Sequence, residues 1–274
     1  MVDQGAMRDE RDQLGAQMYA AVMAAPAPDP NTVLTAAGTR QFVFGEIWNR
    51  PGLTRKERRL VTLALVAESS DLQSMHDQAY GALRSGDLTY DELQEVILHF
   101  AVYSGWPKAS RLDDAVSEQW RRVQTEDGGA AGALPPPRIA DEPFDAAKRD
   151  ARGERVFGEV MTFDAPPPLT PYLSNGVRGF VFGEMWDRPG LTRKERRFVT
   201  LACVCAADAV IPIQSHIFAS LKSGDVSIDE LSEVSLHCAV YCGWPKGSFF
   251  ETTALEQWGE IQASGGPLGE RRLS

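Results

Sequence analysis

The sequence lacks the motifs that identify several common enzyme classes. Its 274 residues contain no HExxH zinc motif, no phosphate-binding P-loop and no GxGxxG dinucleotide motif. Stretches in which apolar and polar residues alternate over the length of a strand are also missing. The sequence therefore predicts an all-α protein and gives no sign of a cofactor.

Long apolar runs and an excess of basic residues are absent as well. No run approaches the roughly 18 apolar residues of a membrane span, and the first residues lack the apolar stretch of a secretory signal. Lys and Arg number 28 against 38 Asp and Glu, a formal net charge of −10. This balance argues against nucleic acid or a membrane as a partner. With 43% hydrophobic and 24% charged residues, we expect a soluble globular protein.

Cysteine is confined to the last part of the chain. The four cysteines are Cys203, Cys205, Cys238 and Cys242. A disulfide framework would not be confined in this way, so we expect reduced thiols and a cytoplasmic location. A metal site is not predicted either, although His76, His99 and Asp77 are conceivable ligands.

The chain contains the same unit twice. FVFGEIWNRPGLTRKERRLVTLA at 42–64 recurs without a gap as FVFGEMWDRPGLTRKERRFVTLA at 180–202. Over 42–120 and 180–258, 43 of 79 aligned positions are identical, which indicates a repeated structural unit. The sequence predicts a first copy at 8–123, a Gly/Ala/Pro-rich linker at 124–143, a second copy at 144–258 and a tail at 259–274.

Local signals place helices within each copy. A helix is predicted from Thr32 to Trp48, with its aromatic residues toward a core. Thr54 and Thr89 are each followed by a Glu three residues later, the pattern of a capping box, and each predicts the start of a helix. The basic clusters at 55–59 and 193–197 are therefore expected near helix N-termini. There they form a solvated or intersubunit face or bind a substrate carboxylate.

The copies differ most over 67–82 against 205–220, where none of 16 aligned positions match. This stretch holds His76 in the first copy and His216 in the second, two residues out of register. Two residues turn a helical side chain by roughly 200°. We expect the two histidines to face different surroundings, with a surface position as the alternative for His76.

His99 and His237 occupy equivalent positions, four residues after a Glu and four before a Tyr. This spacing stacks the side chains on one helical face. The functional interpretation is a Glu–His–Tyr row that faces a pocket, with the histidine as a proton carrier. The structural alternative is a core histidine that is hydrogen-bonded to its neighbours.

Glu46 and Glu184 lie beside aromatic residues in the repeated FGE.W motif. On a buried face such a carboxyl group would have a raised pKa and would suit acid–base chemistry. The alternative is a carboxylate at a rim that pairs with an arginine such as Arg50 or Arg188.

Taken together, these motifs resemble the carboxymuconolactone decarboxylase family. The resemblance lies in FGE.W.RPGLTRKERR.VTLA, in SGD...DEL.EV.LH.AVY.GWPK and in the upstream helix that contains a glycine, and it covers both copies. It implies an all-α fold whose units assemble into a ring. A fused pair would then form a homotrimer that closes a pseudo-hexameric ring.

The family includes two branches with different chemistry. The hydroperoxidase-like branch uses a CxxC pair, whose positions carry Ser69 and Leu72 in the first copy, so that route to peroxide reduction is excluded. The decarboxylase-like branch is similar in placing a histidine in H....L, which His216 fits and where the first copy has Gln78. The resemblance therefore implies a cofactor-free lyase that acts by general acid–base chemistry on a small carboxylated lactone or enone.

The resemblance and the residue types give two sets of candidates. The catalytic candidates are His216, His237, Glu184, Tyr241, His76, His99 and Glu46. The substrate-binding candidates are Arg188, Arg196, Trp186, Trp244, Arg50 and Trp48. Three alternatives stay open: a related cyclase, dehydratase or isomerase acting on an aromatic or polyketide-like intermediate, a redox enzyme that uses the second-copy cysteines, and a non-catalytic assembly or binding protein.

Overall fold

The computed structural model describes residues 4–129, 132–139 and 144–268, with the side chains of residues 4–8 left out. The first copy contains α1 (Gln4–Met23), π1 (Leu34–Ile47), α2 (Arg55–Ser69), α3 (Leu72–Ser85), α4 (Tyr90–Ser104) and α5 (Trp106–Glu126). The second contains α6 (Ala146–Met161), π2 (Tyr172–Phe182), a 3₁₀ turn (Met185–Asp187), α7 (Arg193–Ala206), α8 (Val210–Ser223), α9 (Ile228–Cys242) and α10 (Trp244–Ala263). The described residues include no strand, so the all-α prediction and the repeated order of helices are confirmed. None of the described helices is both long and apolar enough to cross a bilayer.

Capping boxes begin the four helices at the centre of the molecule. The Thr54 side chain accepts a hydrogen bond from the Glu57 N–H, and the Glu57 carboxylate accepts one from the Thr54 N–H at 2.8 Å. Thr89 begins α4 in the same way, and Thr192 and Ser227 begin α7 and α9. The two boxes predicted from the sequence are confirmed.

One π-helix precedes α2 and another precedes the 3₁₀ turn before α7, where the sequence predicted ordinary helices. In π1 the hydrogen bonds reach five residues back, and the bond from Trp48 N–H to the Val43 carbonyl closes the helix at 3.0 Å. The preceding helix lies directly against its backbone. A Cβ atom on Gly15 of α1 would stand 1.7 Å from the Arg40 carbonyl oxygen, and one on Gly153 of α6 would stand 1.8 Å from that of Arg178. Only glycine allows this approach.

The two copies share one hydrophobic core. Helix α2 packs against α7, and each also packs against a helix of the other copy, α2 on α9 and α7 on α4. Leu63 of α2 and Leu201 of α7 belong to one cluster of buried apolar side chains. The central helices α2 and α7 also form an ion pair between the copies, in which the Lys56 ammonium lies 2.5 Å from the Glu195 carboxylate. The copies are therefore repeats within one core, and any site at their contact contains residues of both.

Helical structure extends into the segments that the sequence predicted as linker and tail. Helix α5 continues to Glu126, and α10 continues to Ala263 with Ile261 fully buried. The extended residues 134–139 lie along α4 and α5, where the Arg138 carbonyl accepts a hydrogen bond from Arg188 at 2.7 Å. Residues 130–131, 140–143 and 269–274 of these segments lie outside the described residues.

We expect Gly153→Ala to lower the free energy of unfolding by at least about 2 kcal/mol, because its methyl group overlaps the Arg178 carbonyl. Gly158→Ala on the same helix is the matched control. A Cβ atom there meets nothing closer than 4.0 Å, so the change raises stability by about 0.5–1 kcal/mol through helix propensity. Urea denaturation of both variants measures the difference, and equal shifts would contradict the close contact between α6 and π2.

Candidate active site

Packing between the copies creates two buried polar clusters with the same plan. The one-histidine cluster consists of Trp48, Arg50, Arg58, Arg59, Thr62, Gln78, Glu233, His237 and Tyr241. The two-histidine cluster consists of Trp186, Arg188, Arg196, Arg197, Thr200, His216, Glu95, His99 and Tyr103. In each, the Glu–His–Tyr row of one copy meets the tryptophan, arginines and threonine of the other.

Aromatic side chains enclose the histidines of the two-histidine cluster. His99 is fully buried, stacks on the Tyr103 ring at 5.3 Å and lies edge-on to Trp186 at 4.9 Å. Its Nε2 atom is 2.7 Å from the Thr200 hydroxyl. His216 is 7% exposed and lies edge-on to the same Tyr103 ring at 5.3 Å. Tyr103 therefore separates two imidazoles that belong to different copies.

Two arginines surround the carboxylate of this cluster. Glu95 lies one helical turn before His99 and pairs with Arg188 at 2.7 Å and with Arg196 at 3.1 Å. Arg196 is 1% exposed, and Glu95 is buried as well. One carboxylate between two guanidinium groups leaves an excess of one positive charge in a region of low dielectric constant. The site therefore attracts an anion.

The one-histidine cluster repeats these contacts with the copies exchanged. Glu233 pairs with Arg50 at 2.7 Å and with Arg58 at 3.0 Å. The difference lies in the imidazole, because both ring nitrogens of His237 have partners. Nε2 is 2.9 Å from Arg58 Nη1, and Nδ1 is 3.2 Å from the Thr62 hydroxyl. His237 therefore has the complete set of hydrogen bonds that is typical of a structural core histidine.

Three additional unpartnered nitrogen atoms distinguish the two-histidine cluster, since the Nε atoms of the equivalent Arg58 and Arg196 lack a partner in both clusters. His99 Nδ1, His216 Nδ1 and Arg197 Nη1 are buried and have no hydrogen-bond partner within the described part of the chain. In the other cluster, the equivalent Arg59 Nη1 donates to Gln78, which stands where the second copy has His216. Buried polar groups are nearly always hydrogen-bonded. The three nitrogens therefore indicate a place for a polar ligand.

Burial sets the protonation states in the two-histidine cluster. Desolvation, with the positive charge of Arg196 next, lowers the pKa of His99 well below its usual value. Desolvation and the charge of Arg197 lower the pKa of His216 to about 3. Burial raises the pKa of Tyr103 to about 12. Both imidazoles and the phenol are neutral at pH 7, and a bound anion would raise the pKa of either imidazole.

A cleft of about 630 Å³ opens beside the two-histidine cluster. Glu95 and Arg188 belong to both the cleft and the cluster, and residues 134–139 of the linker form part of the cleft wall. The matching cleft of about 440 Å³, beside the one-histidine cluster, is lined by Arg50, Glu233 and residues of α9 and α10. Each cluster therefore lies directly behind a cleft, with a Glu–Arg pair between them.

Glu46 and Glu184 lie outside both clusters, at the surface. The Glu46 side chain is 43% exposed and pairs with Arg11 at 2.6 Å. The Glu184 side chain is 39% exposed and pairs with Arg149 at 2.9 Å. The expectation of a buried carboxylate is wrong for both. The alternative of a rim ion pair describes them, although their partners are not Arg50 and Arg188.

His76 and Trp244 also lie outside the clusters. The His76 side chain is 27% exposed, and its Nδ1 atom is 2.9 Å from the side-chain nitrogen of Gln119. Trp244 is 54% exposed and lines the smaller cleft. His76 therefore occupies the surface position that was its alternative, and it faces a different neighbourhood from His216.

The sequence grouped His216 with His237 and Tyr241, as residues of one copy. The structure instead places His216 beside His99 and Tyr103, because α4 of the first copy packs against α7 of the second. The remaining predicted residues all lie in one of the two clusters. The one-histidine cluster holds Trp48 and Arg50, and the two-histidine cluster holds Trp186, Arg188 and Arg196.

Three buried arginines, Arg58, Arg59 and Arg197, were missed as site candidates in the sequence. The basic clusters were expected on a solvated or intersubunit face or at a substrate carboxylate, yet these three and the predicted Arg196 are at most 1% exposed. The spacing carries a signal for this, because Arg59 stands four residues before the buried Leu63 and therefore shares its helical face. A guanidinium on an apolar stripe indicates a buried partner.

Comparison with known proteins agrees with these motifs. The model of the carboxymuconolactone decarboxylase family matches residues 34–118 and 171–250, one region in each copy. A 4-carboxymuconolactone decarboxylase of Acinetobacter baylyi is 41% identical over 73 residues, 27% of this chain and 54% of the relative. The nitrosuccinic acid decarboxylase npaB of Metarhizium robertsii is 32% identical over 93 residues, 33% of this chain and 64% of the relative. The match thus spans less than two thirds of either relative. The two family regions cover more than half of the chain, which therefore belongs to the carboxymuconolactone decarboxylase family.

Proposed function

We propose that the protein is a cofactor-free decarboxylase of a small carboxylated lactone or enone, and that the reaction takes place at the two-histidine cluster. Family membership and two relatives named as decarboxylases support the reaction type. The observation that selects the cluster is the set of three unpartnered buried nitrogens, on His99, His216 and Arg197, that have no unpartnered counterpart in the other cluster. The one-histidine cluster serves the fold, since its imidazole is fully bonded.

The positive charge of the cluster binds the substrate acid. Arg188 is partly exposed in the cleft, whereas Arg196 lies behind it, and together they exceed the charge of Glu95 by one. The Glu95 carboxylate that this pair holds lies one helical turn before His99, so an acid that joins it approaches the imidazoles. Binding a carboxylate to a fixed guanidinium gives both charge and orientation.

Decarboxylation then needs an electron sink and a proton donor. The bond between carbon and the carboxylate breaks, carbon dioxide leaves, and the electron pair moves into the conjugated carbonyl group. The unpartnered Arg197 Nη1 and the neutral Tyr103 hydroxyl supply hydrogen bonds to the developing oxyanion. One proton must afterwards reach the carbon atom.

His216 is the proposed proton donor. It retains contact with solvent, whereas His99 is fully buried and is held by Thr200. The anionic substrate raises the pKa of His216, so that the imidazole takes a proton from water and delivers it to carbon. The donor returns to its neutral form in the dry cluster, and the overall reaction consumes one proton.

Incubation of the protein with a panel of small lactone and enone acids in deuterated water tests the reaction type. A decarboxylase releases carbon dioxide and leaves one deuterium on the carbon that lost the carboxylate. A cyclase, dehydratase or isomerase gives a changed product without carbon dioxide. A non-catalytic binding protein changes none of the acids, and either result would contradict the proposal.

We expect His216→Gln to lower kcat/KM by about 10²–10⁴-fold, since it removes the proton donor. Glutamine is chosen because the first copy has Gln78 at the equivalent position. His76→Gln, at the surface, is the matched control and keeps wild-type activity. His237→Gln keeps most of it. Full activity in His216→Gln together with loss in His237→Gln would assign the reaction to the other cluster.

Arg188→Gln is expected to raise KM by about tenfold to a hundredfold, because one charge-assisted hydrogen bond to the acid contributes about 1.5–3 kcal/mol. Arg50→Gln removes the equivalent arginine of the other cluster and leaves KM unchanged. Steady-state kinetics of the two variants gives the comparison. Equal effects would show that the two clefts do not differ in substrate binding.

The proposed assembly is a homotrimer. Leu34 and Tyr172 begin π1 and π2 at equivalent positions, and both are 75% exposed. A large apolar side chain exposed at the same place in each copy supports a repeated contact between chains. Light scattering is expected to give three times the chain mass of 30.1 kDa, and a monomer mass would contradict this assembly.

A further inference from the structure

Three thiol groups of the second copy meet away from both histidine clusters. The sulfur atoms of Cys205 on α7 and of Cys238 and Cys242 on α9 all lie within 4.8 Å of one another. The first two are buried and the third is partly exposed, and none forms a disulfide. Two helices thus direct three soft ligand atoms to one point, with one side open toward solvent.

The fold does not require these thiols. The equivalent residues of the first copy are Ala67, Phe100 and Ser104, and the Phe100 ring is fully buried there. The first copy therefore completes the same core with a hydrocarbon ring. Two of the thiols donate only weak hydrogen bonds to carbonyl groups, Cys242 to Cys238 at 3.0 Å and Cys205 to Lys246 at 3.8 Å, so they fill that space less well than the ring does. A ligand of the sulfur atoms explains their presence.

We propose that Cys205, Cys238 and Cys242 bind one thiophilic divalent metal ion of the zinc class. Thiolate ligands select soft ions, and zinc is commonly held by cysteine in a tetrahedral arrangement. Three protein ligands leave the fourth position to water, which reaches the site on the side of the partly exposed Cys242.

Electrostatics favours an ion of charge +2. The ammonium group of Lys246 lies beside the thiols, where it donates to the Ala206 carbonyl and pairs with Asp208 at 2.9 Å. Three thiolates and one divalent ion carry a net charge of −1, which faces the Lys246 ammonium; the Asp208 carboxylate that shares this ammonium is mostly exposed to water. A buried group of charges is stable only when it is close to neutral and well paired. A monovalent ion would leave a second negative charge on the thiolates.

Metal binding at this site changes no oxidation state. Each thiol that is protonated in the free protein exchanges its hydrogen for a bond to the metal and releases a proton to solvent. The ion would tie α7 to α9. The neighbouring His237 side chain points toward Thr62 and Trp48 instead, so the metal site is separate from the proposed decarboxylase chemistry.

Titration of the reduced, oxygen-free protein with cadmium tests the proposal, because cadmium–thiolate bonds absorb in the near ultraviolet. We expect one cadmium ion per chain, an absorption band that saturates at that ratio, and release of protons into a weakly buffered solution. Protein that is first loaded with zinc is expected to release that zinc as the band forms, since both ions use the same ligands and the softer cadmium ion prefers thiolates. A protein without any saturating band would overturn the proposal.

Matched variants separate ligation from adventitious binding. Cys242→Ser is expected to lower cadmium affinity at least about 100-fold. The triple variant Cys205→Ala, Cys238→Ala, Cys242→Ser abolishes the band and keeps the fold, because no new side chain is larger than the one it replaces. Cys203→Leu copies Leu65 and leaves cadmium binding unchanged. A band that persists in the triple variant, or thiols that form a disulfide under these conditions, would contradict the site.

Discussion

Two buried guanidinium groups determine how the two copies fit together. Arg58 and Arg196 are almost completely inaccessible to water, and each reaches a carboxylate of the other copy. A buried charge without a partner costs several kcal/mol, so Glu233 and Glu95 must lie where these arginines point. The exchange of ion pairs therefore fixes the packing of α2 on α9 and of α7 on α4. Neither copy contains the carboxylate partner of its own Arg58 or Arg196, whereas Arg59 and Arg197 pair with Asp87 and Asp225 of their own copies.

Two equivalent clusters follow from this exchange, and a single residue separates their properties. Where Gln78 stands, the amide accepts from Arg59 and completes the cluster. Where His216 stands, Arg197 keeps an unpartnered donor and two imidazoles face Tyr103. The repeated architecture thus preserves the fold through one cluster while the other carries open hydrogen-bonding groups. A tandem chain allows this division, because each cluster mutates independently of its counterpart.

The features that the sequence predicts correctly depend on spacing within one helix. Capping boxes such as that of Thr54 and the Glu95–His99–Tyr103 row are local, and the structure contains them where the pattern indicates. Contacts between copies are not local, so His216 was paired with the wrong histidine. The buried Arg59 was missed because charge normally indicates exposure. Glu184 was misplaced because aromatic neighbours in sequence do not point to the same side of a π-helix and the turn that follows it.

A dry, positively charged cluster is suited to the loss of carbon dioxide. In a region of low dielectric constant, the field of Arg196 and Arg197 acts on the substrate without screening by water. The same field lowers the pKa of His216, so the imidazole is neutral until an anion arrives. In the proposed mechanism, protonation is coupled to binding, since the substrate supplies the negative charge that stabilises the imidazolium. The proposed proton donor and oxyanion partner are both held by the contact between the copies.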